Sequence, residues 1–105
     1  MTTFSKRVVA LALSIPPGRV TTYGRIARAA GAGPMASQSI TAILGKAYHA
    51  GEERIPFHRI VYADGRVWMH PSDPTKRKAL YKKEGIIVDT KGRIENFADI
   101  LFEFV

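Results

Sequence analysis

The sequence contains no cysteine among its 105 residues. Disulfide frameworks, thiolate zinc sites, iron–sulfur clusters and a thiol nucleophile are all excluded by that one absence. There is also no acidic residue before Glu52, although Lys6, Arg7, Arg19, Arg25, Arg28 and Lys46 fall in that stretch. From Ile94 onward the imbalance reverses, with Glu95, Asp99 and Glu103 and no base. No apolar run approaches the roughly 20 residues that span a bilayer. No repeat, low-complexity tract or linker divides the chain. The expectation is one domain over 1–105, cytoplasmic and monomeric, with no membrane partner, metal or cofactor.

Lys and Arg number 16 against 9 Asp and Glu, a net charge of +7. A basic half of this kind suits a polyanion, because each neutralised phosphate releases counterions and steers the encounter. The plainer reading is a small basic domain whose charge serves solubility alone. The hydrophobic fraction of 46% is ordinary for a folded domain of this size.

Phe4, Val8, Leu11 and Ile15 recur at helical spacing and predict a helix over about residues 3–14, ended by Pro16 and Pro17. Thr21 or Thr22 can cap a second helix through YGRIARAA, with Gly31 as its stop. Pro34 suits the first turn of a third, whose buried face is Ile40, Ile43, Leu44 and Ala47. Two short helices across a Gly-containing turn have the shape of a helix-turn-helix. Ser37, Gln38, Ser39, Thr41 and Ala42 on the second are small or uncharged. Such a face fits close minor-groove docking better than major-groove reading, and equally fits an ordinary helical hairpin. Further on, IVY, ADG and RVW predict a hairpin-like wing. Asp73 and Pro74 open a fourth helix that Gly85 stops. IIVDTKGRI reads as a short hairpin around Lys91 and Gly92, and NFADILFEFV stays open between strand and helix. The fold class is therefore mostly α with a small β wing, a single winged helix-turn-helix-like domain.

In order and spacing, IPPGRVTTYGRIA, the helix-turn-helix, IPFHRIV with ADG, and KKEG resemble the DNA-binding domain of O6-alkylguanine-DNA alkyltransferases, over about residues 8–85. Residues 86–105 form a variable C-terminal segment. In those enzymes the third motif is Pro-Cys-His-Arg, and its cysteine takes the alkyl group from a flipped guanine. Here it is Pro56, Phe57, His58 and Arg59. The resemblance therefore points to the alkyltransferase-like proteins, which keep the scaffold and replace the nucleophile.

That resemblance implies roles residue by residue. Phe57 reads as the floor of a base pocket, against the alternative of a core phenylalanine. His58 and Glu84 match a proton relay that has no thiol to activate. They are expected to be a structural hydrogen bond, with water activation by His58 as the alternative. Tyr23 matches the tyrosine that presses on the phosphate 3′ to the target and helps rotate the base outward, with Thr22 beside it. Gln38 stands where the family usually has an Arg finger filling the vacated space. His70, 13 residues after Phe57, falls where transferases have a pocket tyrosine, with Trp68 or Met69 as an alternative wall. The lesion pocket is thus expected from Tyr23, Phe57, His58, Ile60, Trp68 and His70. The DNA contacts are expected from Thr22, Tyr23, Ser37, Gln38, Ser39 and Thr41.

The implied function is non-enzymatic recognition of O6-alkylguanine in double-stranded DNA by base flipping, followed by hand-over to nucleotide excision repair proteins. Two other classes stay open: a helix-turn-helix DNA-binding protein without lesion preference, and an enzyme in which His58 and Glu84 activate water.

Overall fold

In the computed structural model, which describes residues 3–32, 37–68 and 74–104, the N-terminal apolar spacing becomes helix α1, Thr3–Leu13. Val8 and Ala12 are buried along it, and Ile15 joins them just beyond. Ser14 closes the helix, donating from both its N–H and its hydroxyl to the Leu11 carbonyl. After the proline turn come strand β1, Thr21–Thr22, and helix α2, Tyr23–Ala29. Thr22 is the cap, its hydroxyl oxygen accepting from the Arg25 N–H at 3.2 Å. Helix α3, Ser37–His49, buries Ile40, Leu44 and Ala47 and half-buries Ile43, the face its spacing predicts. Pro34 lies outside the described residues. Helices α1, α2 and α3 share one core built on Val8, Ile26, Ala27, Ile40 and Leu44.

Past α3 the chain makes one 3-10 turn, Phe57–Arg59, and strand β2, Ile60–Val61. Strand β2 pairs in parallel with β1, Thr21 opposite Ile60 and Thr22 opposite Val61. Parallel strands need a crossover, and the helix-turn-helix is that crossover. Ile60 packs into the helical core, whereas Val61 joins a second cluster with Val20, Tyr81, Ile86 and Ile94. The alternation of a strand thus places the pair between two buried clusters.

The expected mostly helical fold with a small sheet holds, and this pairing corrects only the hairpin form of its wing. The chain does turn at Asp64 and Gly65, closed by the Tyr62 N–H to the Arg66 carbonyl and the Gly65 N–H to the Tyr62 carbonyl. It does not continue as a hairpin, because Arg66 bridges to Arg93 instead. Burial decides the matter. Ile60 and Val61, 2% and 1% exposed, are drawn to β1 between the cores, and the chain after the turn is left to the C-terminal loop.

Helix α4, Pro74–Lys83, follows; its expected cap, Asp73, lies outside the described residues. The hairpin around Lys91 and Gly92 forms. Val88 pairs with Ile94, and the Asp89 carboxylate accepts from the Lys91 and Arg93 N–H groups. The final segment, open between helix and strand, is each in turn: helix α5, Phe97–Ile100, then Leu101 bridging in parallel to Val20. Arg19 donates to the Ile100 and Leu101 carbonyls, and the Thr21 hydroxyl donates to that of Phe102. Phe102 and Phe104 pack against the helical core. The acidic end of the chain is therefore fastened to its basic beginning, with Glu103 paired to Arg25 at 2.8 Å.

Gly65 joins these two regions. Its φ is +84°, and an added Cβ would stand 3.0 Å from the Phe97 ring. Gly65→Ala is expected to lower the unfolding free energy by about 2 kcal/mol, combining backbone strain with displacement of Phe97. Urea denaturation checks this, and an unchanged midpoint would contradict the coupling of the turn to α5.

Candidate nucleic-acid interface

Glu84, directly after α4, turns its carboxylate inward. It accepts from the Gly18 N–H at 2.8 Å, from Arg59 Nε and Nη2 at 3.0 and 2.9 Å, and from His58 Nε2. Gly18 reaches it from a left-handed backbone, φ +83°, that glycine adopts without strain. Arg59 also donates through Nη1 to the Ile15 carbonyl at 3.0 Å. One carboxylate therefore gathers the end of α1, the proline turn, the 3-10 turn and α4.

Burial by itself would raise the Glu84 carboxyl. The donors from Arg59, Gly18 and His58 outweigh it and hold the group down at about 2. Burial lowers His58, against the opposing pull of the Glu84 hydrogen bond. The imidazole is thus neutral at neutral pH, and with Nε2–H directed at Glu84 its Nδ1 is an acceptor. Beneath it, the buried Tyr81 ring meets the imidazole edge to face at 6.0 Å. The Tyr81 hydroxyl is buried, with no hydrogen bond of good geometry among the described residues, and burial pushes it up to about 12 against the downward pull of Arg77.

Beside this cluster an open groove of about 1370 Å³ runs between α2, α3, the 3-10 turn and α4. It exceeds the roughly 300–1,000 Å³ of ordinary small-molecule sites. Among the described residues, the rings of Tyr23, Tyr48, Phe57, Tyr62 and Trp68 line it together with the imidazoles of His49 and His58. Tyr48 meets Phe57 edge to face at 5.7 Å, and Tyr23 meets Tyr62 at 6.0 Å. Arg25, Arg28, Lys76 and Arg77 supply positive charge along it, with Glu53 opposing. The Arg77 guanidinium lies over the Trp68 ring at 5.8 Å, a cation–π contact that orients both. Tyr23 is held up from its ordinary value, first by burial and then by Tyr62, so its hydroxyl keeps its proton as a donor. Rings flanked by cations match the way proteins stack bases and track phosphates.

The structure brings Thr22, Tyr23, Thr41, Phe57, His58 and Trp68 together along this groove. Ile60, expected in the pocket, belongs to the helical core instead, because pairing with β1 turns its side chain inward. Ser39 is exposed on α3 outside the groove lining. The side chains of Ser37 and Gln38, and the whole of Met69 and His70, lie outside the described residues. Sequence reasoning missed Tyr48, Tyr62 and Arg77. Tyr48 had a signal, since Thr41, Gly45 and Tyr48 recur at i, i+4 and i+7 on α3. Tyr62 and Arg77 carried none, because they reach the groove only through the packing of β2 and α4.

Comparison with known proteins adds to this geometry. Residues 3–86 match the family model of the 6-O-methylguanine DNA methyltransferase DNA-binding domain. A DNA base-flipping protein of Escherichia coli K12 is 30% identical over 92 residues, covering 88% of this chain and 69% of that protein. One from Vibrio parahaemolyticus is 30% identical, over 90% of this chain and 91% of its own length. Among solved structures, S. pombe Atl1 in complex with damaged DNA containing O6-carboxymethylguanine superposes with a TM-score of 0.76. It covers 99% of this chain and 98% of its own at 23% identity, a likeness of fold.

The carboxylate cluster sets a pH dependence. Glu84 has a folded pKa below its unfolded value of about 4.3, so its contribution is complete above that value and is lost as pH falls towards about 2. His58, lowered by burial, removes stability earlier, as pH falls below its unfolded value near 6.5. Urea denaturation between pH 8 and pH 2 is expected to lose on the order of 3 kcal/mol through the Glu84 step. Glu84→Gln is expected to remove that step while lowering stability at pH 7. A variant that keeps the same acid limb would contradict the assignment.

Proposed function

The chain belongs to the family of the 6-O-methylguanine DNA methyltransferase DNA-binding domain, and on that premise we propose that it is a reader of alkylated DNA that transfers no alkyl group. One observation carries the reading. Phe57 lies in the groove wall directly before the His58–Glu84 pair, and the resemblance of its motif sets it where the transferases have a cysteine, a residue this sequence lacks. A phenyl ring offers apolar area to an alkyl substituent and no electron pair for its transfer.

In this reading the duplex lies along α3, whose small face lets it approach the minor groove. Tyr23, at the start of α2, crowds the backbone beside the target and donates its hydroxyl to phosphate. The extruded O6-alkylguanine then enters the groove among Tyr23, Tyr48, Phe57 and Trp68. Extrusion costs a few kcal/mol, less for a damaged pair. Stacking of a base on an aromatic side chain contributes about 1–3 kcal/mol, so contacts with the rings in the groove offset the cost. His58 Nδ1 is available as a hydrogen-bond acceptor. The held lesion is then passed to nucleotide excision repair proteins by a monomeric, cytoplasmic protein.

The neutral state of His58 favours one second reading, in which Nδ1 takes a proton from water attacking the alkylated base. Mass spectrometry of lesion-bearing DNA after incubation separates the two: an unaltered base supports recognition alone, and an altered base supports catalysis.

Titration of matched duplexes with and without O6-methylguanine is expected to give at least about tenfold tighter binding to the lesion, or 1.4 kcal/mol. Equal affinities would sink the reading in favour of a helix-turn-helix protein without lesion preference. Tyr23→Ala is expected to lower the melting temperature by its lost packing and, at a temperature where it is still folded, to weaken lesion binding about tenfold. Retention of full affinity would remove Tyr23 from the flipping step.

A further inference from the structure

The exposed face of α4 carries a charge pattern that helix stability and the groove explain only in part. Lys76, Lys78, Lys82 and Lys83 are all exposed. At 3.6 residues per turn they fall, with Thr75 and Ala79, on one arc of about 160°. The remaining arc holds Arg77 and Leu80, which line the groove, and Tyr81, which is buried. Lys76 sits at the boundary and lines the groove as well. The basic arc is therefore continuous with the rim of the groove.

Lys82 and Lys83, in the last turn, complement the helix dipole, but the rest of the pattern is unfavourable to the helix. The first turn of α4 holds Lys76 and Arg77 and no acid, although the helix dipole disfavours cations there. Lys78 and Lys82 stand one turn apart, a like-charge pair that costs a few tenths of a kcal/mol. The ion pairs among the described residues draw their acids to other partners. Glu52 pairs with Arg54, Asp64 with Arg66 and Arg93, Glu84 with Arg59 and His58, and Glu103 with Arg25. None of the ion pairs among the described residues includes Lys78, Lys82 or Lys83.

We propose that this ridge of α4 is a second DNA-binding surface, gripping the phosphate backbone of the duplex flank beyond the nucleotide held in the groove. The inference rests on the DNA-reading function proposed above. From Lys76 to Lys83 the ridge is about 10 Å long at 1.5 Å per residue, which spans about three phosphates at a rise of 3.4 Å per nucleotide. Lysine suits this task, being a mobile point charge that meets phosphate without reading bases. The ridge adds affinity and salt dependence, and leaves lesion selectivity to the groove.

The test uses the full chain, the triple variant Lys78→Gln/Lys82→Gln/Lys83→Gln, and lesion duplexes of about one and about three helical turns. Gln keeps helix propensity close to that of Lys, and none of the three residues lines the groove. On the long duplex the variant is expected to bind about tenfold more weakly at low salt. The slope of log K against log salt is expected to flatten by about 2 to 3, at 0.9 per lost phosphate contact. On the short duplex it should match the wild type, and the ratio of lesion to unmodified affinity should not move. The charge-conserving triple Lys→Arg variant should keep the wild-type slope. An unchanged slope on the long duplex, or an equal loss on both lengths, overturns the proposal. A wild-type protein with no lesion preference but with this length-dependent slope would overturn the lesion reading and leave the ridge standing.

Discussion

The Glu84 carboxylate is the constraint on which the rest of the molecule depends. It accepts from a backbone N–H, a guanidinium and an imidazole that come from two separate stretches of chain. A buried carboxylate is tolerable only when its donors are in place, so the proline turn, the 3-10 turn and the end of α4 must meet for any of them to settle. Arg59 extends the bond to Ile15, whose side chain belongs to the helical core. Tyr81, packed on His58, belongs to the second cluster. A small domain with two modest cores and no disulfide is thereby fastened at the point where they meet.

The same cluster fixes the position of the groove. Phe57 and His58 are adjacent in one tight turn, so locking His58 to Glu84 also locks the ring of Phe57 against Tyr48. The His58–Glu84 contact thus anchors an apolar wall. In the proposed reading, recognition without turnover follows from a single side chain, because the phenyl ring of Phe57 has no electron pair to accept the alkyl group.

Charge is partitioned with similar economy. The acid-free first half supplies Arg19 and Arg25, and the base-free end of the chain returns to meet them through the Ile100 and Leu101 carbonyls and Glu103. That clasp draws two of the cations into the fold. Lys78, Lys82 and Lys83 on α4 enter none of the described ion pairs, so their charge stays at the surface beside the groove.

Local periodicity and chain stereochemistry were legible in the sequence alone. The apolar faces of α1 and α3, the Thr22 cap and the hairpin around Gly92 all follow from residue type and spacing, because each depends on neighbours within a turn or two. Tertiary structure decided the rest. The parallel pairing of Thr21 with Ile60 replaced the expected hairpin wing, since burial between two cores outweighs a local turn. It took Ile60 out of the pocket and brought in Tyr48, Tyr62 and Arg77. Such placements depend on which face of one element meets another across tens of residues, and the sequence holds no local record of that contact.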